Sequence, residues 1–120
     1  MIGETITLTV DSVAKVLNRI NQDGYASEYL LREANGEYQM LVRNTRGSKP
    51  DSSGIVRDRH NVKVTRIIYG ASGSPNITTV INFTVDNDVV SDDTDVINLS
   101  NAVTAWADGT IVGKLLGNES

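Results

Sequence analysis

The chain has 120 residues, 39% hydrophobic but only 5% aromatic, with one Phe, one Trp and no cysteine. The lack of cysteine excludes disulfides, iron–sulfur clusters, thiolate zinc sites and cysteine nucleophiles, and a single His60 excludes a His-pair metal site. The net charge of −4 is unevenly spread: residues 32–66 carry eight basic and four acidic side chains, whereas residues 67–120 carry one basic and seven acidic, so a locally positive surface can still attract phosphate.

The elements follow in chain order. Thr5 to Val10 alternates Thr with Ile6, Leu8 and Val10, the period of a strand. Asp11-Ser12 turns the chain, and Val13 to Ile20 returns as a second strand. Asp23-Gly24 marks the next turn, Ser27 to Glu33 a third strand, and Asn35-Gly36 a two-residue hairpin from which Glu37 to Arg46 pairs back. Gly47 to Gly54, with Ser48, Lys49 and Asp51, is a polar loop. Arg57 to Tyr69 is a long strand, Gly70 to Pro75 a second loop, and Asn76 to Val85 the last strand.

The period then changes. Val96, Leu99, Val103 and Trp106 form the stripe of an amphipathic helix, with Ser91, Asp92 and Thr94 as candidate N-caps and Gly109 expected to end it. Ile111, Val112, Leu115 and Leu116 form a short second helix closed by Gly117. The predicted class is α+β in one domain over residues 1–120: a hairpin over 1–21, an antiparallel sheet over 26–86, and two helices over 92–117 lying on one face of the sheet. So thin a core predicts a dimer.

Alternation places Tyr38, Met40, Val42, Val62, Val64, Ile81 and Phe83 on the covered face. It leaves Gln39, Leu41, Arg43 and Thr45 on the open face, with Arg59, Asn61, Lys63 and Thr65 beside them and Thr78, Val80, Asn82 and Thr84 beyond. Such a patch suits phosphate contacts from Arg and Lys and base-edge contacts from Asn, Gln and Thr. It equally suits an exposed sheet kept soluble and blunted against aggregation.

Several segments carry a family resemblance in their shared order: Ile20-Asn21-Gln22-Asp23-Gly24-Tyr25, Ser27-Glu28-Tyr29, Arg59-His60-Asn61-Val62, Tyr69, Ser72-Gly73-Ser74-Pro75 and Gly113-Lys114-Leu115. The chain resembles the levivirus coat proteins of single-stranded RNA bacteriophages, and in appearance is most like that of a Caulobacter RNA phage. The resemblance implies a homodimer with edge-joined sheets and helices crossing the partner's sheet. It further implies an icosahedral shell around single-stranded viral RNA, assembled in the bacterial host cytoplasm. The inward face of such a sheet binds RNA, and in many members it grips a hairpin at the replicase start and represses translation. Carried over by strand register, the RNA-binding positions are Gln39, Leu41, Arg43, Asn61, Lys63, Val80, Asn82 and Thr84, with Thr45 and Arg59 beside them. Val80 departs from the tyrosine that better-known relatives stack on a base, and Leu41 from a small hydroxyl side chain.

The acidic run Asp86, Asp88, Asp92, Asp93 and Asp95 makes Asp86 and Asp88 candidate calcium ligands, but it lacks the glycine and terminal glutamate of an EF-hand loop and equally reads as a turn and helix start. No cofactor is otherwise expected. Met1-Ile2-Gly3-Glu4 lacks the basic start of a signal peptide, and no apolar run nears the ~20 residues of a membrane helix, so no membrane partner is expected. The alternative to a coat protein is a cellular β-sheet RNA-binding or interaction module. An enzyme is the weakest reading, because nothing pairs the carboxylates for acid–base work.

Overall fold

The structure, a computed structural model, describes residues 2–47, 50 and 52–120; Ser48, Lys49 and Asp51 of the expected polar loop lie outside the described residues. Six antiparallel strands form one sheet in sequential order: β1 Thr5–Val10, β2 Val13–Asp23, β3 Ala26–Glu33, β4 Gly36–Thr45, β5 Arg57–Ile68 and β6 Ile77–Asp88. Two helices follow, α1 Asp93–Trp106 and α2 Gly109–Leu116.

The turns explain the register. Asp11 and Ser12 both adopt left-handed backbone (φ 50° and 63°), the twist that a two-residue hairpin between right-twisted strands requires. Gly24, at φ 57°, serves the next turn, where its lack of a Cβ removes the steric cost. The β3–β4 turn differs from expectation by one residue: Glu33 pairs with Gly36, so Ala34-Asn35 make the bend and Gly36 opens β4. Glycine at 36 answers to packing and not to the turn. A Cβ on Gly36 would fall on the Ile67 carbonyl oxygen and against the Arg66 guanidinium.

The core lies on one side of the sheet. Leu17, Tyr29, Tyr38, Met40 and Val42 are buried, with Ile6, Leu8, Leu31, Val62 and Val64 packed around them. The roof over this face is the β1–β2 hairpin. The sheet curls toward it, aided by a register shift between Arg19 and Asn21 that sharpens the bend. Tyr29, whose ring is interior, donates its hydroxyl to the Gly3 carbonyl at 2.7 Å and so ties down the start of the chain.

The helices depart from expectation. They bury no residue on their own sheet. The radius of gyration is 17.2 Å, against about 14 Å for a compact domain of this length. Their local chemistry is otherwise as read. Asp92 caps α1 by accepting from Thr94 N at 3.0 Å. Gly109 does not end α1: Ala107 does, and Asp108 then caps α2 by accepting from Thr110 N and Ile111 N. An Asp that satisfies two free N–H groups restarts the helix more effectively than glycine stops it.

Candidate nucleic-acid interface

From β4 to β6 the pairing runs without a register shift, so every second residue falls into a row across the three strands. The rows are Gln39–Thr65–Val80, Leu41–Lys63–Asn82, Arg43–Asn61–Thr84 and Thr45–Arg59–Asp86. All ten residues carried over as RNA-binding positions lie in these four rows, while Thr78, also read as open, stands one row beyond, opposite Ile67. The face is brought together by strand period alone, because residues two apart share a side and neighbouring strands lie under 5 Å apart.

Arg43, Thr45, Arg59, Asn61, Asn82 and Thr84 line a groove of about 480 Å³. A second depression, of about 300 Å³, includes Gln39, Leu41, Lys63 and Thr65 and continues onto β3 through Leu30 and Arg32. Arg32 was missed in the sequence. The alternation of Glu28, Leu30 and Arg32 against Tyr29 and Leu31 would have found it, had the face been extended by one strand.

The basic side chains separate into two groups. Lys15 pairs with Glu33 at 2.7 Å, Arg19 lies 3.9 Å from Glu4, and Arg57 donates to Asp86 at 2.7 Å. Arg66 stacks on Tyr38 and donates to the Ile67 carbonyl. By contrast, no carboxylate among the described residues forms an ion pair with Arg43, Arg59 or Lys63. These three cations share one face and form no ion pair, with Asp86 opposite Arg59 and Glu28 and Glu37 lining the depression that contains Lys63; an anionic polymer can neutralise cations left unpaired in this way.

The amides are partly committed. Gln39 donates to Glu37 at 2.9 Å. Asn61 directs its Nδ2 to Thr84 Oγ1 at 2.9 Å and to the Phe83 carbonyl at 3.4 Å. No row residue is aromatic. These four rows therefore offer charge and hydrogen bonds but no ring on which a base could stack.

The two candidate calcium ligands are otherwise engaged. Asp86 Oδ1 accepts from Arg57, and Asp88 Oδ1 accepts from the Val90 N–H at 3.0 Å. Among the described residues no three His, Cys, Asp or Glu side chains converge as a metal site. His60, on the covered side of the sheet, meets Asn44 Oδ1 at 2.8 Å. No helix among the described residues is long and apolar enough to cross a membrane.

The model of the family described as the coat protein of phage phiCb5 matches residues 3–88, which span all six strands. No curated protein matches the chain significantly.

Proposed function

The chain belongs to the phage phiCb5 coat protein family, and on that premise we propose that it pairs into a homodimer whose shells bind and package single-stranded RNA through the β4–β6 face. As a coat protein it is a structural component of a phage and not an enzyme. The dimers close into an icosahedral shell around the RNA, assembled in the host cytoplasm.

One observation carries the dimer: the apolar stripe of the helices, which lines a cleft against β6, is left mostly open by its own chain. Leu99 is 67% exposed, Trp106 64% and Leu116 81%. The covered side of β6 is equally bare, with Ile81 at 63%. β6 is also a terminal strand of the sheet, with one row of backbone N–H and C=O groups unpaired. A second copy answers both needs when the two β6 edges join and each chain's helices cross the other's sheet. Monomeric proteins rarely leave apolar surface of this extent open to water.

RNA binding rests on the three free cations and the hydrogen-bonding groove. Without an aromatic side chain to stack a splayed base, the face suits contacts along a strand better than the grip of one hairpin. Light scattering on purified full chain tests the dimer. The expected species are a dimer of 13.0 kDa subunits and larger assemblies; a stable monomer would refute it.

A further inference from the structure

Asn61 is the groove amide whose nitrogen is engaged by the neighbouring strand. Its Nδ2 donates to Thr84 Oγ1 at 2.9 Å and approaches the Phe83 carbonyl at 3.4 Å. The Phe83 carbonyl can only accept, which favours the amide nitrogen on that side, whereas the Thr84 hydroxyl can accept or donate. No donor among the described residues reaches Asn61 Oδ1. An amide normally both donates and accepts, and so meets any base edge. Held in this way, Asn61 leaves Oδ1 as its unengaged group.

Its position gives that oxygen a use. Asn61 sits directly opposite Arg43, with Arg59 one row along, and all three line the same groove. Two guanidiniums that take phosphate oxygens would hold a strand with its bases free to meet the acceptor between them. Cytosine, adenine and guanine each carry an exocyclic amino group that donates. Uracil has none, and its single ring N–H is flanked by two carbonyls that repel an approaching acceptor.

Resting on the RNA-binding reading above, we infer that the groove prefers amino-bearing bases to uracil, with Asn61 Oδ1 as the discriminating acceptor and Thr84 as the residue that positions it. Asn82, whose amide makes no comparable bonds, adds no such bias.

The test is binding of labelled ten-nucleotide oligomers of cytidine and of uridine to the unassembled full chain, followed by fluorescence anisotropy. These two pyrimidines differ at the position where an amino group replaces a carbonyl. The expected result is roughly fivefold tighter binding of the cytidine oligomer, the worth of about one hydrogen bond. Asn61→Ala and Thr84→Val should each bring the ratio below about twofold, the first by removing the acceptor and the second by freeing an N–H. Deoxycytidine oligomers should keep the advantage over deoxyuridine ones, because the discrimination lies in the base and not in the 2′-hydroxyl. Equal affinity for both pyrimidines overturns the inference while leaving RNA binding intact, as does a preference that survives Asn61→Ala. Failure to bind either oligomer at low salt overturns the RNA-binding reading itself.

Discussion

The guanidinium of Arg66 lies on the ring of Tyr38, with Cζ 4.2 Å from the ring centroid, and Gly36 leaves the space that the guanidinium occupies. Lys15 approaches the same ring at 5.8 Å while pairing with Glu33. These contacts lie on the covered side of the sheet and hold its cations in structural work. Arg43, Arg59 and Lys63 face the other way and remain available.

Gly36→Ala should therefore destabilise the fold beyond any change in turn propensity. Its Cβ would meet the Ile67 backbone, which cannot yield without disturbing the β4–β5 ladder. Overpacking of this kind costs about 1–3 kcal/mol. Thermal unfolding measures it, and an unchanged Tm would contradict the packing described.

Two substitutions probe the hairpin roof. Leu17 is fully buried, so Leu17→Ala should cost about 2–5 kcal/mol through lost burial and the cavity left behind. Tyr29→Phe keeps the ring and removes only the hydroxyl bond to Gly3, so about 1 kcal/mol is expected. Denaturant titration separates the two. Equal effects would mean that the hairpin is not held by its apolar side.

Leu99→Asp distinguishes a subunit from a monomer. On an isolated chain this exposed position would tolerate the change with an effect within about 0.5 kcal/mol. If a partner's sheet covers it, a buried carboxylate without a partner should abolish the dimer. Sedimentation velocity reads the result directly, and a dimer of wild-type strength would remove α1 from the interface.

The charge of the face should appear in the salt dependence of RNA binding. Each phosphate contact on a single strand contributes about −0.7 to the slope of log affinity against log salt. Arg43→Ala should therefore flatten the slope by about that amount. An unaltered slope would place the phosphates elsewhere.

Much of this was legible in the sequence, for definite reasons. Period-two alternation from Glu37 to Thr45 and from Arg57 to Ile68 has only one solution when one face is apolar, so the rows of the open face could be read before any pairing was known. The helix stripe was equally clear, but its destination was not. Amphipathicity says that Leu99 and Trp106 need cover without saying whose, and their own chain leaves both mostly exposed. The one-residue shift at Asn35-Gly36 was hidden because the glycine that signals a turn here leaves room for Arg66, thirty residues downstream. Likewise, the engagement of the Asn61 nitrogen follows from Thr84 standing opposite it, a matter of register between strands and not of either strand alone.

The central claim, a shell subunit that packages RNA through this face, is tested most directly by expressing the full chain in bacteria. Particles are then purified, imaged by electron microscopy and measured for absorbance at 260 and 280 nm, beside the Arg43→Glu, Lys63→Glu double variant. The account predicts closed shells rich in RNA for the wild type, and a variant that retains the folded dimer but packages markedly less RNA. A wild-type protein that stays a nucleic-acid-free monomer would contradict the coat reading, and equal RNA content in the two proteins would contradict the assigned face.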